Sequence, residues 1–158
     1  MLNVVLVHPE IPPNTGNIGR LCCAVGARLH LVKPLGFRID DRSLKRAGLD
    51  YWDKVDVVVW DDLETYIAAT ERNRIVLTGS KRGDTYFRVR FLPGDHIVFG
   101  PETTGLAPDM FERFPERVAR IPIDLTKVRS LNLSTAAGIV VYEALRQVGE
   151  IPGECSKS

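Results

Sequence analysis

Short β-branched runs alternate along the whole chain with stretches whose apolar residues recur at helical spacing, and this alternation leaves few folds open. Leu2–Val7, Arg28–Val32, Val55–Trp60, Arg74–Gly79, His96–Gly100 and Val118–Pro122 read as strands. Between them Asn14–Ala27, Asp41–Ala47, Asp61–Glu71 and Pro108–Phe114 read as helices, and a last helix runs from about Asn132 to Val148. Parallel strands need crossover connections, so strict alternation predicts an α/β fold: a mostly parallel sheet with helices on both faces. The 158 residues fit a single domain, 1–158, with its tail from about residue 150 flexible. A chain of this length buries enough surface to need no disulfide or metal staple.

Composition excludes several classes. With 44% apolar and 26% charged residues the chain reads as an ordinary globular protein. Its longest run free of polar side chains, Ala136–Tyr142, is far short of the ~20 residues a membrane helix needs. The opening MLNVVLVHPE lacks the basic start, apolar length and cleavage site of a secretory signal, so the expected location is the cytoplasm. Cys22 and Cys23 are adjacent and Cys155 is distant, which matches neither a disulfide framework nor metal-ligand spacing. His8, His30 and His96 are scattered as well, and the latter two fall in strands, where structural roles are expected. No P-loop, no G-x-G-x-x-G after the first strand and no G-x-S-x-G elbow is present.

The net charge of +1 conceals local differences. Residues 1–50 and 71–100 each carry an excess of basic groups, whereas 51–70 are acidic. Fifteen of the 21 basic residues are arginine, the side chain suited to bidentate phosphate contact. This permits a nucleic-acid partner without requiring one, because a solvated arginine face reads the same way. The long segment Ser80–Asp95 sets Lys81, Arg82, Arg88 and Arg90 beside Tyr86 and Phe87, and connections of that length are often functional.

Helical spacing separates core from site. Ile18, Leu21, Cys22 and Val25 form one stripe of the first helix; Arg20 falls off it, where it could meet an anion or face solvent. Ligands of open α/β sheets lie beyond the carboxyl ends of the strands. Three such ends are unusual here: Leu77-Thr78-Gly79; Gly100 to Leu106, where one carboxylate stands between two glycines; and Ile121-Pro122-Ile123 running on to Arg129–Ser134. In the last helix Leu133, Ala136, Ala137, Val140, Val141, Ala144, Leu145 and Val148 make a covering stripe. Ile139, Tyr142 and Arg146 make a second line, which suggests a homodimer contact; an exposed tyrosine is the alternative.

Three segments in this order, Asn14-Thr15-Gly16-Asn17-Ile18-Gly19-Arg20, Phe99–Leu106 and Arg129-Ser130-Leu131-Asn132-Leu133-Ser134, resemble the three motifs of the SPOUT-class RNA methyltransferases. The opening LNVVLVHPEIPPNTGNIGRLC, the stretch RAGLDYW and the ending VVYEALRQ are similar to the minimal members that methylate the ribose 2′-OH of the tRNA wobble nucleotide. The resemblance implies a C-terminal deep trefoil knot. It implies S-adenosylmethionine bent in that knot and held around Leu77, Thr78, Gly100, Glu102, Ile121, Ser130 and Leu131. It further implies a homodimer, each site completed by the neighbour's first motif, and no metal. Arg20, Asn14, Ser130 and Asn132 take the catalytic roles, and Ile139 with Tyr142 the dimer contact. The anticodon stem-loop of tRNA is the expected partner, reaching Arg20, Lys81, Arg82, Arg88 and Arg90. Thr104 stands where the family often has arginine, and 77–83 is longer than usual. A ribosomal RNA methyltransferase and a non-catalytic RNA-binding domain are the alternative readings.

Overall fold

A computed structural model describes residues 1–40, 42 and 50–153. Among the described residues seven strands form one sheet: β1 Asn3–Val7, β2 Arg28–Val32, β3 Val57–Trp60, β4 Ile75–Gly79, β5 Asp84–Thr85, β6 His96–Phe99 and β7 Val118–Arg120. Their order is β3-β2-β1-β6-β4-β7-β5, and every pairing is parallel. Among the described residues four α-helices accompany them: α1 Pro12–Val25, α2 Leu63–Ala69, α3 Pro108–Arg113 and α4 Leu133–Val148.

Alternate residues of a strand point to opposite faces, and β1 at the centre of the sheet feeds two cores. Val4 and Leu6 join Ile18, Cys22 and Val25 of α1 and Ala137, Val140, Val141, Ala144 and Leu145 of α4. Val5 and Val7 join Tyr66 of α2 and Met110 and Phe114 beside α3. Burial on both faces explains why the central strands read as continuous apolar runs. The covering stripe expected on α4 is the buried one, and Cys22 lies in the core, where burial pushes its thiol up to about 12. Ile151 also packs on the first core.

Boundaries differ from the sequence reading for local reasons. The first helix starts at Pro12 rather than Asn14, with prolines in the first turn, where a missing N–H costs nothing. The last strand stops at Arg120, ahead of Pro122. Within 80–95 lie the two-residue strand β5 and a 3₁₀ turn, Tyr86–Arg88. Val89 and Phe91 of this segment enter the first core, and Gln147 of α4 grips it, donating to the Val89 carbonyl at 3.0 Å and accepting from the Phe91 N–H at 2.9 Å. Apart from Arg42, the helix expected over 41–47 lies outside the described residues, as does Cys155. None of the described helices is long and apolar enough to cross a membrane.

Two polar devices hold the frame. Asp95, fully buried, accepts from the Leu92 N–H at 2.7 Å and from both terminal nitrogens of Arg117, which also reaches the Asn73 and Arg90 carbonyls. In the sheet, Trp60 Nε1 donates to His30 Nδ1 at 3.0 Å, which leaves Nε2–H of His30 to donate to Asn3 Oδ1 at 3.0 Å. Tyr66 Oη lies 3.1 Å from His96 Nδ1. His30 and His96 are therefore structural, as their place in strands suggests. Burial drives His30 down to about 4, helped by His96 and Arg28, and burial lowers His96 too.

Candidate active site

Beyond the carboxyl ends of β4, β6 and β7 opens a cavity of about 690 Å³. Its apolar wall includes Phe99, Leu106, Phe111, Ala136 and Val140, and Lys81, Arg82 and Arg129 are on its polar side. The chain folds back sharply here: Gly105 N–H donates to the Pro101 carbonyl at 2.8 Å, and a Cβ on Gly100 would stand 2.1 Å from the Leu106 nitrogen. Only glycine fits at position 100.

Of the residues expected to hold the cofactor, Thr78, Gly100, Glu102, Ile121, Ser130 and Leu131 line this cavity. Leu77 does not; its side chain is fully buried in the second core, one residue short of the opening. Thr78 is fixed by its hydroxyl, which donates to the Val98 carbonyl at 2.8 Å.

Glu102 is the one carboxylate among the described lining residues, and its oxygens face the protein. Oε2 accepts from the Glu10 N–H at 2.8 Å; Oε1 accepts from the Ile11 N–H at 3.0 Å and from Asn14 Nδ2 at 3.3 Å. In return Glu10 accepts from the Thr103 N–H at 3.2 Å and its hydroxyl at 2.7 Å. Asn14, buried, passes the network on: its Oδ1 accepts from Asn132 Nδ2 at 3.0 Å. Asn132 in turn caps α4, accepting from the Ser134 and Thr135 N–H groups at 3.0 and 3.3 Å. The three loops are tied by Glu102, Asn14 and Asn132, so these side chains set the shape of the site. Sequence reasoning missed Glu10 as the reciprocal half of the clamp and Arg129 as a cation on the cavity wall. Glu10 had no local signal, because its partner Thr103 is 93 positions away, whereas Arg129 opens the third segment and was given no role of its own there.

Arg20 lies on the exposed face of α1 and is absent from the wall of its own chain's cavity. Its guanidinium carbon sits 5.8 Å from the centroid of the Tyr51 ring. Lys81 and Arg82 are exposed at the cavity, the Arg82 guanidinium 5.3 Å from the Phe111 ring, whereas Arg88 and Arg90 are exposed away from it. Phe87 is exposed and meets Tyr86 edge-on. On α4 the side chain of Tyr142 is 48% exposed and Ile139 half-buried, which leaves an apolar strip outside both cores.

A cavity at the strand ends of a parallel sheet, walled by three loops and edged with cations, defines an α/β ligand-binding domain. The chain belongs to the SpoU rRNA methylase family, which matches residues 1–142. A tRNA (cytidine(34)-2′-O)-methyltransferase of Burkholderia pseudomallei (strain 1106a) is 50% identical over 152 residues, covering 94% of this chain and 97% of that protein. A solved structure described as giving insight into the 2-OH methylation of C/U34 on tRNA matches with a TM-score of 0.86 and 42% identity, over 93% of this chain and 95% of that one. An AdoMet-bound rRNA methyltransferase from Sinorhizobium meliloti matches with a TM-score of 0.75 and 27% identity, over 92% of this chain and 56% of that one.

Proposed function

We propose that this protein transfers a methyl group from S-adenosylmethionine to the ribose 2′-OH of the wobble nucleotide, cytidine or a modified uridine, of tRNA. The observation that carries the reading is the meeting of the second and third segments on one cavity, with Asn14 of the first hydrogen-bonded to both, in a chain half identical to a tRNA (cytidine(34)-2′-O)-methyltransferase along nearly its whole length. A volume of about 690 Å³ suits a ligand of nucleoside size. The close return at Gly100 brings main-chain groups to the wall, and the one carboxylate there is already satisfied, so the residues present fit the cofactor. Thr78, Gly100, Ile121, Ser130 and Leu131 would hold it. When bound it supplies an electrophilic methyl group on a sulfonium.

The chain's own residues do the rest. Lys81, Arg82 and Arg129 seat phosphates at the cavity, and Arg88, Arg90 and the Tyr86–Phe87 pair meet the anticodon loop, whose unpaired bases can stack on aromatic rings. Arginine stays protonated at any working pH, so Arg20 acts as a cation that orients the acceptor and stabilises charge developing on its 2′-oxygen rather than as a base. Because Arg20 is exposed and absent from the wall of its own chain's cavity, the site is completed by a second copy docked along Ile139 and Tyr142. The chain passing from β7 through 121–132 into α4 is threaded beneath segment 80–95, forming the knot; the grip of Gln147 on Val89 and Phe91 supports this. The enzyme works in the cytoplasm.

Mass spectrometry of nuclease digests of tRNA and of ribosomal RNA, each incubated with the protein and labelled cofactor, tests the reading. Label in a 2′-O-methylated pyrimidine at the wobble position is the expected result. Label in ribosomal RNA alone would move the substrate, and none in either RNA would leave the non-catalytic alternative.

A further inference from the structure

We propose that Tyr51 is a positioning residue for Arg20, its ring a seat that aims the guanidinium without neutralising it. The inference rests on the reading of Arg20 as the cation beside the reacting ribose.

Tyr51 is tied to the helix that carries Arg20. Its hydroxyl donates to the Gly16 carbonyl at 2.6 Å, one helical turn ahead of Arg20, while the ring lies 5.8 Å from the guanidinium carbon, within reach of a cation–π contact. Trp52, the next residue, rests on Gly19, where a Cβ would stand 2.7 Å from Trp52 Cζ3. Gly16, Gly19 and Arg20 fall at i, i+3 and i+4, so they form one strip of α1. The Tyr51–Trp52 pair lies along that strip, and the glycine at 19 lets it approach.

The kind of contact matters for the chemistry. A carboxylate partner would occupy the N–H groups of the guanidinium and cancel its charge. Among the described residues Arg20 forms no ion pair. An aromatic face engages the plane and leaves the N–H edges open for a phosphate or a developing alkoxide. An exposed arginine otherwise samples many rotamers, so the seat raises the fraction of time it points one way.

The test compares Tyr51→Phe and Tyr51→Leu in the full-length protein. Loss of the ring in Tyr51→Leu should lower kcat on tRNA about five- to tenfold, the scale of a cation–π contact. Calorimetric affinity for S-adenosylhomocysteine should be unchanged, and any fall in melting temperature from losing the hydroxyl's bond to Gly16 should be shared by Tyr51→Phe. Tyr51→Phe keeps the face and should restore most of the rate. In an Arg20→Lys background Tyr51→Leu should have little further effect. Wild-type kcat in Tyr51→Leu, additive losses with Arg20→Lys, or equal losses in Phe and Leu accompanied by a lower melting temperature would each overturn the proposal. A readout independent of turnover is the Arg20 side-chain Nε–H resonance, which the ring should shift in wild type and Tyr51→Phe but not in Tyr51→Leu. Should wild type fail to methylate tRNA, the functional reading falls, and an Arg20 resonance indifferent to Tyr51→Leu would by itself refute the seat.

Discussion

Glu102 illustrates how a residue placed at a site can serve it from behind. Its two oxygens take three N–H donors, two from the backbone just ahead of α1 and one from Asn14. Glutamine is nearly isosteric but replaces one acceptor with an NH₂ that would face those donors. Hydrogen bonds to a charged group contribute about 1.5–3 kcal/mol each, so Glu102→Gln should destabilise by roughly 2 kcal/mol and loosen the loops around the cavity. Urea unfolding with and without S-adenosylhomocysteine checks this; an unchanged midpoint would show the clamp to be dispensable. Arg20 makes the opposite case, a side chain outside the cavity whose loss should spare ligand binding. Arg20→Lys keeps the charge but not the planar fork, so methylation should fall at least tenfold while calorimetric affinity for the cofactor product stays at the wild-type value. Equal turnover by the two proteins would remove Arg20 from the chemistry.

At the level of elements, the strands were legible because burial on both faces forces unbroken apolar runs, and the helices because one stripe of each is buried. The ends were less so. Asn14 looks like a helix cap, yet two prolines extend α1 ahead of it, and the amides there go to Glu102 instead of to a capping side chain. A two-residue strand such as β5 has no periodicity to read. The strand ends that form the cavity could be chosen from sequence, but the ties between them could not: Asn14 and Asn132 are 118 positions apart, and nothing local in either announces the other. The histidines of β2 and β6 lead to a prediction at this scale. Both are kept neutral by burial, and His30 titrates in the fold near 4 against an ordinary value of 6.5. Between those values the unfolded chain holds more protons than the folded one, so stability is full above about 6.5 and declines as pH falls toward 4. The carboxylates that Arg72, Arg113 and Arg146 hold below their usual range add their losses only at lower pH. NMR titration should show the His30 ring neutral, with its proton on Nε2, at pH 5.5; an imidazolium spectrum there, with no loss of stability, would contradict the account.

Where Arg20 does its work is a property of the whole molecule. Arg20 is exposed on α1, 5.8 Å from the centroid of the Tyr51 ring, and the cavity of the same chain is lined without it. If the site is shared across a two-fold axis, two defects on different subunits can complement each other, and two on the same subunit cannot. Arg20→Ala leaves the cavity intact. Ser130→Trp, at an exposed position on the cavity wall, blocks the cavity and leaves Arg20 intact. Each variant alone should be inactive. When equal amounts are mixed and allowed to exchange subunits, half of the dimers are hybrids, and each hybrid pairs one open cavity with one arginine from the other chain. The mixture should then regain about a quarter of wild-type activity, the statistical yield for an isologous dimer. A site built within one chain predicts no recovery at any mixing ratio, because every open cavity would still lack its own arginine. The same mixture prepared with Ile139→Asp and Tyr142→Asp added to both chains should stay inactive and sediment as monomers, since a carboxylate buried at the contact has no partner. Recovery by dimers that still form despite these substitutions would place the shared contact on a different face of the molecule.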